Sequence, residues 1–517
     1  MQFNGDSGDI ARPLWLDNLE LFDGLRNLGS GCISVEDGKI AFVGDRTGYQ
    51  SPKPGKLDEV IDCTGLFALP GFVDSHLHLF SLAASNFGYD LAKVSGTSRS
   101  TFKMILKRAT ETFDRQEGWL RFYGLDSFDL GLSECLNRDF LDEVFPENPV
   151  IIRFKSGHGA LLNSVALRLI DVGESTDEPD GITFIRDLDN GLLTGMIFEG
   201  EELFTSKIPP IPSAQLLDSL GEILEYTSSR GITTLVDASQ NNDVSRMRML
   251  SDFLATKSLS PHVVLMPGWP HFRGFPADIG NYSDVYRRVE IGHVKIMLTA
   301  SSGRIIPSEE DLLASLQEAH SLGFPVAIHA VENECVSTAI AALQKDFFDG
   351  DRIEHASELT DQNIANIAAL GIRISTQPAF ITENGERYLQ NTSDISVLYR
   401  LESLRTQGVV VGFSSDAPFS DADPIGWISA GTYREIPSTE KILGNSERVS
   451  VGSALNMATY SSAVVSGIAD RKGYLRRGMD ADIVLLDMNP LTAKGSELSK
   501  ISPVLTLSQG SSLYSGM

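Results

Sequence analysis

At 517 residues the chain is too long for one ordinary compact domain unless it folds as a large barrel with additions. Its 42% hydrophobic and 22% charged residues describe a globular protein, and a formal net charge of −26 argues against nucleic acid or an anionic membrane surface as partner. Cys32, Cys63, Cys135 and Cys335 form no close pair and no Cys-x-x-Cys, which argues against both a zinc ribbon and a disulfide scaffold and fits a reducing compartment. Met1-Gln-Phe-Asn-Gly-Asp6 lacks a basic and an apolar leader region, and no window reaches about 18 apolar residues. Neither a signal peptide nor a membrane span is expected, and the chain reads as cytoplasmic.

In chain order, the first elements are short apolar runs at 32–35 and 40–44 around Asp37-Gly38, a hairpin signature. Further apolar runs follow at 72–79, 232–237, 262–267, 294–298, 325–329, 351–355, 372–377 and 409–415. Helical patterns lie between several of them, as at 309–322, where Leu312, Leu313, Leu316 and Ala319 keep a helical period. Eight buried runs alternating with helices imply an α/β fold, a parallel (β/α)8 barrel over residues 71–470. The interval between the first and second runs is far longer than an ordinary connection, so about 85–212 reads as an insertion with its own structure. Gly478–Asp487 ends in another strand-like run, and 504–507 offers a last one. Residues 1–70 plus 471–517 are therefore expected to pair into a small β-sandwich domain built from both termini.

His76-Leu77-His78 stands in Leu69-Pro-Gly-Phe-Val-Asp-Ser-His-Leu-His-Leu79. Alternation along a strand sends both imidazoles to one face, where they suit zinc or a similar divalent ion. Alone, the pair reads equally well as two exposed histidines. The other runs add to it: Lys295 within Val-Lys-Ile-Met-Leu and, at or near run ends, His329 in Ala-Ile-His, His355 in Arg-Ile-Glu-His, and Asp416 in Phe-Ser-Ser-Asp. In a parallel barrel these ends meet at the face where such folds keep their chemistry. Four of the chain's nine histidines occupy them, too many for satisfied core histidines.

These residues resemble the amidohydrolase superfamily, in the metal-dependent branch of N-substituted formamide deformylases and related exoenzyme-regulator-like proteins. The likeness spans nearly the whole chain, including Gly157-His158-Gly-Ala-Leu-Leu-Asn163-Ser164-Val-Ala-Leu167 in the insertion and the Ala-Asp-Ile-Val-Leu closing strand. It implies two divalent ions, zinc with iron or manganese as alternatives. His76, His78 and Asp416 would hold one, His329 and His355 the other, and carbamylated Lys295 would bridge them. It further implies hydrolysis of a non-peptide carbon–nitrogen bond, in an N-acyl or N-formyl amine, by a metal-bridging hydroxide. Asp416 would be general base and then acid, and His158 would be catalytic by polarising the carbonyl. His158 would contact substrate or, equally, cap the packing of the insertion, while Arg304 as a substrate contact, with Trp269 and Glu199, is a weaker pocket candidate, structural roles being favoured for each of the three.

Two departures bear on the reaction. After Lys295 the chain reads Thr299-Ala-Ser-Ser-Gly303 where relatives often have Asp-Gly, and after His329 it reads Ala-Val-Glu332 where they often have Gly-Asp. The His-x-x-Glu spacing resembles one-metal deaminases of the same superfamily, so a heterocycle aminohydrolase with Glu332 as proton shuttle is the alternative. A solvated first-turn glutamate is the plainer reading of Glu332. A third possibility is a catalytically idle binding protein, against which the intact ligand set speaks. The expected partner is a small-molecule amide; a homo-oligomer is compatible with the sequence.

Overall fold

A computed structural model describes residues 13–45, 53–55, 58–92, 94, 97–111, 118–126, 132, 135–155, 157, 159–179, 181–275, 289–301, 304–392, 394–437, 439 and 441–517. They fall into two compact units, Met1–His78 with Leu224–Met517, and Leu79–Ile223.

In the first unit, each of the eight expected apolar runs contains a strand. One parallel sheet orders Val289–Ile291, His262–Leu265, Ile232–Asp237 and Phe72–Leu77. A second orders Val294–Met297, Val326–Ala330, Arg352–His355, Arg373–Thr376 and Val411–Phe413, again all parallel. All residues of Phe72–Leu77, Ile232–Asp237 and Arg352–His355 are buried, as expected of strands covered on both faces. The sheets are linked at one edge by a parallel bridge between Gly268 and Lys295. At the other edge, Asp416 N–H donates to His76 O and His78 N–H to Ala417 O, both at 2.8 Å. The three-residue strand Val289–Ile291 was not expected, being too short to show a period.

Helices Glu309–Ser321, Asn333–Lys345 and Asp361–Leu370 alternate with the second sheet's strands. The first begins at Ser308, whose side chain accepts from Asp311 N–H, and carries Glu309, Glu310 and Asp311 in its first turn, where negative charge meets the helix dipole. In its last turn, His320 Nδ1 lies 2.7 Å from Asp346 Oδ2 and Nε2 lies 3.2 Å from Asp351 Oδ1. Burial lowers the pKa of this imidazole, but Asp351 and Asp346 more than reverse that, and the net shift is upward. A raised folded-state pKa stabilises the fold fully below the unfolded value of about 6.5, and the benefit is lost as pH rises through the folded value. We expect the thermal midpoint of His320→Gln to trail wild type most near pH 6, the gap narrowing as pH rises above 7. A pH-independent gap in thermal melts of the two proteins would contradict the charge-based account.

Both chain ends contribute to one eight-stranded sheet, ordered Ser511–Ser515, Pro503–Ser508, Ile483–Leu486, Phe67–Pro70, Leu14–Phe22, Asn27–Glu36 and Lys39–Gly44, with Glu59–Asp62 also beside Leu14–Phe22. The Asp37-Gly38 turn has φ of 49° and 74°, the left-handed pair a two-residue hairpin requires. Leu16, Ile33, Ile483, Leu485 and Leu507 belong to the sheet's buried apolar cluster.

The second unit is built on a six-stranded sheet ordered Thr183–Arg186, Leu193–Phe198, Gly159–Leu162, Val150–Phe154, Leu120–Leu125 and Tyr89–Asp90. Alternation divides its strands between two cores. Val150, Ile152 and Phe154 pack with Phe102 and Phe140, whereas Ile151, Ala160 and Leu162 pack with Leu167 and Phe204.

Candidate metal centre

Three imidazoles at the strand ends are held through one nitrogen and present the other. His76 is fully buried, and its Nδ1 makes a short hydrogen bond with Glu354. Glu354 Oε1 in turn accepts from Arg352 Nε at 2.5 Å, and Arg352 is anchored to the carbonyls of Ser75 and Val465 at 2.8 Å each. His78 Nδ1 lies 3.2 Å from Ser239 Oγ, which donates to Asp237 Oδ1 at 2.6 Å. His355 Nδ1 lies 2.8 Å from Gln377 Oε1, whose amide nitrogen donates to Ser414 Oγ at 2.9 Å. For His76 and His355, the acceptors on Nδ1 fix the tautomer that leaves an Nε2 lone pair, the form in which imidazole ligates a metal.

The Nε2 atoms of His76 and His78 face a carboxylate, whereas for His355 it is Nδ1 that lies 3.9 Å from Asp416 Oδ2. Asp416 Oδ1 is 3.4 Å from His76 Nε2 and 3.1 Å from His78 Nε2, without hydrogen-bond alignment to either. The ligand atoms of His76, His78 and Asp416 lie within 4.8 Å of one another. The His76 and His355 ring centroids are 4.9 Å apart, those of His355 and His329 4.5 Å apart. Lys295, 1% exposed, places Nζ 3.5 Å from His76 Nε2. Both His355 Nε2 and Asp416 Oδ1 are buried with no hydrogen-bond partner. Orphaned buried donors and acceptors are costly, and a cation between them removes the cost. Asp416 and His355 adopt left-handed φ of 58° and 69°, unusual for residues other than glycine and a common mark of functional sites.

The site's charges suit a divalent ion. Burial lowers the pKa of His76 and His355, keeping the imidazoles neutral. Burial alone would raise Asp416, but His78, His76 and His355 hold its carboxyl well below the usual carboxylate range. Burial brings Lys295 down to about 8, against the pull of Glu354 and Asp416. Neutral imidazoles and an ionised carboxylate are the protonation states metal binding requires.

The structure thus brings together His76, His78, Lys295, His329, His355 and Asp416. Arg304 is exposed on a two-stranded hairpin, Thr299–Ser301 with Arg304–Ile306, which follows the Lys295 strand. Glu332 is exposed at the N-cap of Asn333–Lys345, as a solvated first-turn acid would be. Trp269 is half-buried and stacked on Phe272 at 4.9 Å between ring centroids. Glu199 is exposed and belongs to the second unit. His158 lies outside the described residues. The sequence reading missed Arg352, Glu354, Gln377, Ser239 and Asp237. The available signal was polar residues inside otherwise apolar strands, above all Arg352-x-Glu354, where alternation puts two opposite charges on one buried face.

The model of the amidohydrolase family matches residues 59–514. N-substituted formamide deformylase of Arthrobacter pascens is 26% identical, over 94% of this chain and 95% of its own. The protein YtcJ of Bacillus subtilis (strain 168) is 24% identical over 93% of this chain and 95% of its own. An uncharacterized metal-dependent hydrolase from Pyrococcus horikoshii has a similar fold, with a TM-score of 0.71 at 23% identity over 93% of this chain and 99% of that one. With nearly its whole length matched, the chain belongs to the amidohydrolase family and is a metal-dependent hydrolase of carbon–nitrogen bonds.

Proposed function

We propose that this enzyme hydrolyses the amide bond of N-formyl or N-acyl amines. It would do so at two divalent ions bridged by carbamylated Lys295, on a (β/α)8 barrel closed by the two edge contacts of its parallel sheets. The barrel would span residues 71–470 with its insertion at about 85–212, accompanied by a β-sandwich domain of 1–70 plus 471–517. The reading rests above all on three buried or half-buried imidazoles with Nδ1 occupied, of which His76 and His78 turn Nε2 toward Asp416 and His76 also toward Lys295.

His76, His78 and Asp416 would hold one ion, His329 and His355 the other, and nitrogen with carboxylate donors suit zinc, iron or manganese. Such ions, when bound, polarise a carbonyl and make water acidic enough to act near neutral pH. Asp416, ionised in its ring of imidazoles, accepts the proton of the attacking water. It then delivers that proton to the amine nitrogen as the carbon–nitrogen bond breaks, giving a carboxylate (formate for a formamide) and a free amine. His158 and Arg304 are assigned to substrate binding, with His158 also polarising the carbonyl. A reducing cytoplasm fits the four buried, free cysteines.

The test is metal content followed by a substrate panel, on protein expressed with divalent metal and bicarbonate. We expect about two ions per chain and release of carboxylate plus amine from N-formyl and N-acyl amines. One ion per chain with ammonia release from an aminated heterocycle would overturn the reading and move Glu332 to the centre.

A further inference from the structure

The metal-centre reading gives no part to Asp237, yet its carboxylate is fully buried at the end of Ile232–Asp237. One oxygen, Oδ1, accepts from Ser239 N–H at 3.0 Å and from Ser239 Oγ–H at 2.6 Å. The other, Oδ2, is buried without a hydrogen-bond partner. A half-satisfied buried carboxylate is costly, and an apolar residue would fill the position more cheaply.

The turn that holds it is rigid and tied to the histidine strand. Ala238 N–H donates to Leu77 O at 2.9 Å, Asn242 Nδ2 to Asp237 O at 3.2 Å, and Gly268 N–H to Asn242 O at 3.0 Å. Gly268 allows this approach, since a Cβ there would sit 1.8 Å from Gln240 O. The turn leaves Ser239 Oγ 3.2 Å from His78 Nδ1.

We infer that Asp237 is a positioning residue that acts on the metal centre through Ser239 and His78. The physical reason is the ambiguity of a hydroxyl. A serine facing an imidazole can donate to Nδ1 or accept from it, and the two cases give opposite tautomers. If Ser239 donated to Nδ1, the proton would sit on Nε2 and His78 could not ligate. A carboxylate can only accept, so Asp237 draws the hydroxyl hydrogen to itself and leaves Ser239 an acceptor. His78 must then carry its proton on Nδ1 and direct the Nε2 lone pair at the site. Glu354 imposes the same tautomer on His76 directly. His78, nearer solvent with its side chain 20% exposed, is reached by one hydroxyl more.

This inference rests on the metal-centre reading, and zinc titration of the full chain separates the two. The chelator-stripped protein is titrated with zinc against a chromophoric chelator, for wild type, Ser239→Ala, Ser239→Thr and Asp237→Asn, with metal-free thermal midpoints measured alongside. No saturable uptake by wild type would sink the metal reading itself. Given uptake by wild type, we expect Ser239→Ala to weaken zinc binding by about 10- to 100-fold. Ser239→Thr, which keeps the hydroxyl, should restore it to within a few-fold. Asp237→Asn should weaken binding too, because its amide can donate to Ser239 and release the hydroxyl hydrogen toward His78. Unchanged zinc affinity in Ser239→Ala overturns the inference, and does so equally if its metal-free midpoint falls, since the pair would then serve packing alone.

Discussion

Asp416→Asn is expected to lower kcat on an N-formyl or N-acyl amine by about 10³-fold, within the 10²- to 10⁴-fold span typical of a lost general base. An amide has nearly the shape of the carboxylate, so the steric setting survives. The backbone of this residue is held independently of its side chain, with its N–H on His76 O and its carbonyl accepting from Phe419 N–H. Its φ of 58° is a conformation that asparagine tolerates about as well as aspartate. What changes is chemistry. The carboxylate is ionised because His78, His76 and His355 surround it, and an amide can neither accept the water's proton nor return it to the amine. Asparagine also removes an anion from the metal's surroundings, so metal content has to be measured on the same sample. The expected result is a folded protein with an unchanged metal-free thermal midpoint, turnover near the limit of detection, and a deficit that excess metal does not repair. Near-normal kcat would remove Asp416 from the proton-transfer role.

The parts of the centre readable from the chain were those whose residue type is improbable where it stands. A histidine or an aspartate at the end of an apolar run, or a lysine inside one, has no reason of packing to be there, and His76, His78, Lys295, His329, His355 and Asp416 all stood out on that ground. The strand positions were readable for the same reason, since runs buried on both faces are continuously apolar. The groups that orient the ligands were not. Glu354 meets His76 across 278 positions of sequence and Ser239 meets His78 across 161, and no local pattern reports such distances. The polar Ser511–Ser515 became a strand because Pro503–Ser508 offered it an edge, which is a tertiary cause. Glu332 shows the opposite limit: its spacing from His329 suggested chemistry, whereas the structure leaves it in solvent at a helix start.

Lys295→Met is expected to reduce bound metal from about two ions per chain to at most one, and to abolish measurable amide hydrolysis, if the lysine bridges as a carbamate. Methionine is close to lysine in length and flexibility without the charge, so the buried strand keeps its packing. Glu354 keeps Arg352 and His76 as partners in the variant. The chemical premise is the neutral amine, which alone attacks carbon dioxide, the product being a carbamate anion and a released proton. Burial brings Lys295 down to about 8, so a useful fraction of neutral amine exists at mildly alkaline pH where an ordinary lysine would have almost none. The sign of the dependence follows: below that value the ammonium dominates and carbamate formation slows, and above it formation accelerates. Reconstitution of stripped wild type with zinc should therefore be faster with bicarbonate present, and faster at pH 8.5 than at pH 6.5. The variant should ignore bicarbonate at either pH. Retention of both ions and of activity by Lys295→Met, with wild-type uptake indifferent to bicarbonate, would leave the lysine as a buried counter-charge to Glu354 and Asp416.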